Sequence, residues 1–165
     1  MQKKSQAALE FLTTYAWAFL VILVMIGALA YFGILNPSKI LPDRCNFGTE
    51  IGCADYRIAY VTTGSDGTFG LRLKNSIGEP LILTSITVSS ESSTAYSCTL
   101  SSPTLPFTWN SDTLTDFSFT SCNSAASGFV KGDKAKVLIT MTYYLARSSP
   151  TYSKQVAGEV FATVT

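Results

Sequence analysis

Four cysteines, three carboxylates crowded around the first two of them, and one acid beside a long apolar run are the side chains of this 165-residue sequence placed to do chemistry. Histidine is absent, which removes the commonest general base and the commonest zinc ligand. Cys45, Cys53, Cys98 and Cys122 contain no C-x-x-C spacing, so a four-cysteine zinc site competes poorly with disulfides. In an exported domain an even cysteine count reads as bridges. Local closure, Cys45–Cys53 and Cys98–Cys122, is the economical choice of three pairings, and would contribute roughly 2.5 and 3.5 kcal/mol by chain entropy. Asp43, Glu50 and Asp55 could bind calcium, but they lack EF-hand spacing and read better as solvated loop carboxylates. No G-x-S-x-G, phosphate-binding loop or His-based triad is present. The expectation is a protein that is not an enzyme, with no catalytic residue, cofactor or metal. The formal charge of +1 is spread thinly and gives no field for nucleic acid.

The remaining acid, Glu10, opens a run from Phe11 to Leu35 that carries no charge. Ala16 to Leu35 alone makes about 30 Å of helix, the thickness of a bilayer core. Tyr15 and Trp17 near one end, Tyr31 and Phe32 near the other, suit the two interfaces. Asn36-Pro37 predicts the stop. Lys3 and Lys4 place the N-terminal end in the cytoplasm and the rest of the chain outside. The run is too long for the apolar core of a removable secretory signal, which spans about 7–15 residues. It should stay with the protein as a transmembrane helix, in contact with membrane lipid.

After a proline-bearing connector the period changes to two. In TFGLRLKN, Phe69, Leu71 and Leu73 alternate with Gly70, Arg72 and Lys74. Ile82, Ile86 and Val88 share one parity, as do Ala135, Val137, Ile139, Met141 and Tyr143, and Val156, Val160 and Val164. Alternation argues half-buried strands, and GSDG, NSIGEP, SGFVKGD and RSSPT separate them. The fold expected is α+β: one long N-terminal hydrophobic helix, then an antiparallel β-sandwich of Ig-like size. The expected divisions are the apolar helix ending at residue 35, a connector with a cysteine loop at 36–56, and a β-sandwich at 57–165. Half the residues from Thr84 to Ser127 are Ser or Thr, which reads as solvated β surface, or as an O-glycosylated one.

An acid beside a membrane helix is expensive and needs a partner or a function. Reading MQKKSQAALEFLTTYAWAFL in order, two lysines precede Ser5 and Gln6, Glu10 follows four residues later, and the apolar helix comes next. This resembles the class III signal peptide of archaeal type IV pilins, over residues 1–42; beyond them only the plan of a β-rich exported head agrees. The resemblance implies cleavage of the Ser5–Gln6 bond by a prepilin peptidase on the cytoplasmic side, dividing a leader at 1–5 from a membrane and filament-core helix at 6–35, with Gln6 as the first residue and Glu10 as the fifth. Glu10 would then meet the new Gln6 ammonium, in its own helix or a neighbour's, and set register in assembly. The small residues Gly27, Ala30 and Gly33 would let helices approach closely. The implied partners are other pilin subunits as a homopolymer, the prepilin peptidase, and an assembly ATPase with its membrane platform. The implied role is a structural subunit of a cell-surface filament with a part in adhesion. The alternative is a monomeric single-pass surface protein whose sandwich binds a ligand or partner; a membrane-tethered enzyme stands third.

Overall fold

The computed structural model describes residues 2–31, 41–61, 67–91 and 96–165, and side chains in the first segment from Glu10 onward. Two compact units divide the chain, residues 1–41 and residues 42–165. Among the described residues the first holds one helix, α1, Gln2–Tyr31. The expected stop at Asn36-Pro37 lies outside the described residues.

The second unit is a two-sheet sandwich. Its strands are β1 (Arg44–Asn46), β2 (Ile51–Ala59), β3 (Gly67–Asn75), β4 (Leu81–Ser90), β5 (Thr99–Ser102), β6 (Phe107–Trp109), β7 (Leu114–Cys122), β8 (Lys134–Leu145) and β9 (Lys154–Thr163). They form a five-stranded sheet in the order β1-β9-β8-β4-β6 and a four-stranded sheet in the order β2-β3-β7-β5. Every ladder is antiparallel. A parallel bridge from Ile58 to Val164 joins the two sheets at one end. The neighbour relations β2-β3-β7-β5 and β9-β8-β4 are those of strands ABED and GFC in an immunoglobulin constant-type sandwich. Here β1 is added beyond β9, and β6 beyond β4. The α+β class with a sandwich head is thus the observed architecture.

The period of two produces the core. Phe69, Leu71 and Leu73 on β3, and Ala135, Val137, Ile139, Met141 and Tyr143 on β8, are all buried, while Thr68 and Arg72 are exposed. Trp109 packs edge-on against Phe117 with ring centroids 5.3 Å apart, and Phe69 lies 5.5 Å from Phe119. One alternation does not run as its sequence suggests. A bulge between Leu83 and Ser85 resets the parity of β4. Leu81 and Leu83 point inward before it, Ile86 and Val88 after it, and Ile82 is left half-buried on the other face. The cysteine loop also departs from expectation. Residues 44–56 are not connector: they contribute β1 and most of β2 to the two sheets.

Two side chains make the turns of the head specific. Asn75, fully buried, donates its amide to the carbonyls of Glu79 (2.9 Å) and Trp109 (3.2 Å) and accepts from the Ile77 amide (3.0 Å). A buried amide so satisfied stabilises the NSIGEP turn against the β6 end, because leaving any of these groups unpaired would cost about 1–3 kcal/mol. Phe47, 2% exposed, packs its ring against Gly158 in β9, where a Cβ would collide with it.

The cysteines are bonded as Cys45–Cys53 and Cys98–Cys122. The first bridge crosses from β1 in one sheet to β2 in the other; the second ties the segment entering β5 to the end of β7. Beside the first bridge, the buried Tyr143 hydroxyl donates to Glu50 Oε2 at 2.6 Å. Burial, and then this bond, push the Tyr143 phenol above its ordinary range. Tyr143→Phe removes only the hydroxyl. It is expected to lower the unfolding free energy of the full-length protein in detergent by about 1–2 kcal/mol in a denaturant titration. A loss below ~0.3 kcal/mol would mean that the bond contributes nothing over hydration of Glu50.

Candidate functional site

The long helix is the most unusual surface of the chain. From Glu10 to Tyr31 it runs 22 residues, about 33 Å at 1.5 Å per residue. None of its most apolar window is buried within the chain. Phe11, Trp17 and Val24 are 63%, 68% and 63% exposed. Globular proteins rarely present so continuous an apolar surface to water, and its length and composition suit a membrane span.

The polar groups at its start are arranged to tolerate an apolar medium. Thr13 and Thr14 both donate their hydroxyls to the Glu10 carbonyl, at 3.0 and 2.9 Å. Hydroxyls satisfied by their own helix need no water. The rings of Phe11 and Tyr15, one turn apart, pack tilted at 46° with centroids 4.2 Å apart. Leu12, Tyr15, Ala16, Phe19 and Ile22 border a shallow apolar groove of about 470 Å³. Their spacing of three and four residues follows one face of the helix, and small Ala16 between larger neighbours forms a dip that a second helix can fill. This seam is not evident in the sequence, because a helix apolar all round shows no contrast between faces. The mixture of small and large residues at that spacing is the signal that could have found it.

The expected site residues fall as follows. Glu10 is exposed near the start of the apolar stretch. Ser5 and Gln6 lie within the helical span of α1, and their side chains lie outside the described residues. Gly27 and Ala30 are exposed, and a Cβ built on Gly27 meets nothing within 4 Å. Gly33 lies outside the described residues.

In the head, the three acids near the first cystine are held apart by separate partners. Asp43 accepts from Lys134 at 2.7 Å, Glu50 from Tyr143, and Asp55 from the Tyr56 amide at 2.8 Å. The Lys134 hydrogen bond holds the Asp43 carboxyl below its ordinary range, and a two-pronged Arg72 contact, 2.6 and 2.9 Å, does the same for Asp116. Among the described residues no three His, Cys, Asp or Glu side chains are grouped to hold a metal ion. No protein-family model and no curated protein matches this chain.

Proposed function

We propose that this chain is the structural subunit of a type IV pilus-like surface filament. It is made as a membrane-anchored precursor with its N-terminus in the cytoplasm and its sandwich outside. A prepilin peptidase removes residues 1–5, and an assembly ATPase with its membrane platform then draws the helix from lipid into a homopolymer. The observation that carries this reading is the uncovered, charge-free helix from Phe11 to Tyr31 beginning directly after Glu10, joined to a disulfide-bonded sandwich. In a filament, neighbouring helices take the place of lipid. The seam of Leu12, Tyr15, Ala16, Phe19 and Ile22 gives them a fit, and the close approach at Gly27, Ala30 and Gly33 adds to it. The sandwich coats the outside and makes adhesive contacts.

Processing tests this reading. The surface form is expected to begin at Gln6 and to lack Lys3 and Lys4, which takes the formal charge from +1 to −1. Intact mass and N-terminal peptide analysis of filaments sheared from cells decide it. A chain beginning at Met1 would favour a monomeric anchored protein whose sandwich binds a partner. One cut after residue 35 would make the sandwich a secreted domain.

A further inference from the structure

The outer face of the four-stranded sheet carries a shallow depression. Two adjacent cross-strand rows form it. In one, Asp55, Arg72 and Asp116 stand side by side on β2, β3 and β7. Arg72 grips both carboxylate oxygens of Asp116 through its Nε–Nη2 edge, so this row is a closed charge pair with a carboxylate at each end. In the next row the order is Arg57, Gly70, Ser118. Glycine at the centre leaves a depression of about 370 Å³, bordered by these residues. A Cβ built on Gly70 meets nothing within 4 Å, so the space above it is open.

Arg57 is the residue that gives the depression a chemistry. Six cations of the head are in ion pairs: Arg44, Arg72, Lys74, Lys134, Lys136 and Arg147. Among the described residues Arg57 has no ion-pair partner, although it stands mid-strand beside the depression. Its guanidinium offers a planar fork that matches a carboxylate. Opposite it, hydroxyls continue outward from Ser118 to its β5 neighbour Ser102. The core side chains beneath, Leu71 and Phe117, are 3% and 0% exposed and offer no apolar anchor. Protein partners generally need such an anchor at the centre of a contact. A hydroxylated ligand does not: it can donate to Asp55 and Asp116 and exchange hydrogen bonds with Ser118.

From this geometry we infer that the depression over Gly70 binds an acidic sugar, its carboxylate on Arg57 and its hydroxyls on Ser118 and the flanking Asp55 and Asp116. The inference does not depend on polymerisation. The test is titration of full-length protein in detergent, at low salt, with a tetragalacturonate and with the matching neutral galactose oligomer. The acidic oligomer is expected to bind at least tenfold more tightly. Arg57→Ala should weaken it ~10–100-fold, the effect of losing a charge-assisted pair. Gly70→Val should block it while leaving the unfolding midpoint unchanged, since the new side chain enters open space on a strand that favours it. Lys154→Ala, an equal charge change on the other sheet, should have no effect. Absence of saturable binding at millimolar tetragalacturonate, equal binding of both oligomers, or equal losses in Arg57→Ala and Lys154→Ala would each overturn the inference. Filaments lost in Arg57→Ala with no sugar bound by the parent protein would overturn it too, and would give Arg57 to an acidic side chain of a neighbouring copy.

Discussion

Cells carrying Glu10→Gln are expected to insert and cleave the precursor normally and to assemble almost no filaments. The substitution keeps size and removes charge. Insertion becomes easier, because an ionised carboxylate is disfavoured in the membrane by about 2.5–3.5 kcal/mol at a helix centre and by less near its end. Assembly becomes harder. Under the proposed function the Gln6 ammonium of an adjoining subunit loses its counter-ion, and breaking a buried pair in this way typically costs about 3–5 kcal/mol. The Thr13 and Thr14 hydroxyls bond the Glu10 backbone carbonyl, which the change keeps, so the helix itself is left intact. Three measurements separate the steps: membrane fractionation, precursor mass, and filament yield by electron microscopy. Normal filaments would move the register to packing at the Gly27 and Ala30 stripe. An uncleaved precursor would make Glu10 a recognition residue for the peptidase.

In the head the largest effect is expected at Gly158. It is buried in β9, and a Cβ there would overlap the ring of Phe47. Phe47 has little room to retreat, being 2% exposed and followed by Gly48, whose φ of 75° belongs to a turn. Its neighbours are fixed too: Cys45 is bonded to Cys53, and Arg44–Asn46 pair with Glu159–Phe161. Gly158→Ala therefore forces the ring out of the core or bends β9. Overpacking of this kind costs about 2–3 kcal/mol and should lower the thermal midpoint of the full-length protein in detergent by roughly 5–15 °C. The double change Gly158→Ala with Phe47→Leu should recover part of the loss. A midpoint within a degree or two of the parent's would show that Phe47 does not need the glycine.

The strands that could be read in the sequence are those whose alternation is unbroken. β3 and β8 show their buried faces as Phe69-Leu71-Leu73 and Ala135 to Tyr143, because each is central in its sheet and packs one side only. Reading fails where an extra residue enters the ladder. The bulge at Thr84 puts Ile82 on the opposite face from Ile86, and the irregularity between Cys53 and Asp55 disguises β2 as connector. It is weak again in the Ser/Thr-rich stretch, where Phe117 and Phe119 are buried between outward-facing hydroxyls such as Ser118 and Thr120. The depression over Gly70 could not be read at all. It depends on which residue of β2 stands across from Gly70, and register between strands is a property of the pairing, not of either strand alone. The acid at Glu10 and the charge-free run after it are legible for the opposite reason: they depend on local chemistry within one helix.

The cystine between β1 and β2 has a mechanical consequence. Under the proposed function, a subunit held by its helix and pulled by its head carries the load through the chain that enters the second unit at Pro42. The bridge keeps the loop from Cys45 to Cys53 from being drawn out by such a pull. There the sulfur bridge takes the tension and divides it between the two sheets, to β9 through the backbone pairs of β1 and to β3 through those of β2. Traction that would otherwise fall on a three-residue edge strand alone is instead shared with the second sheet.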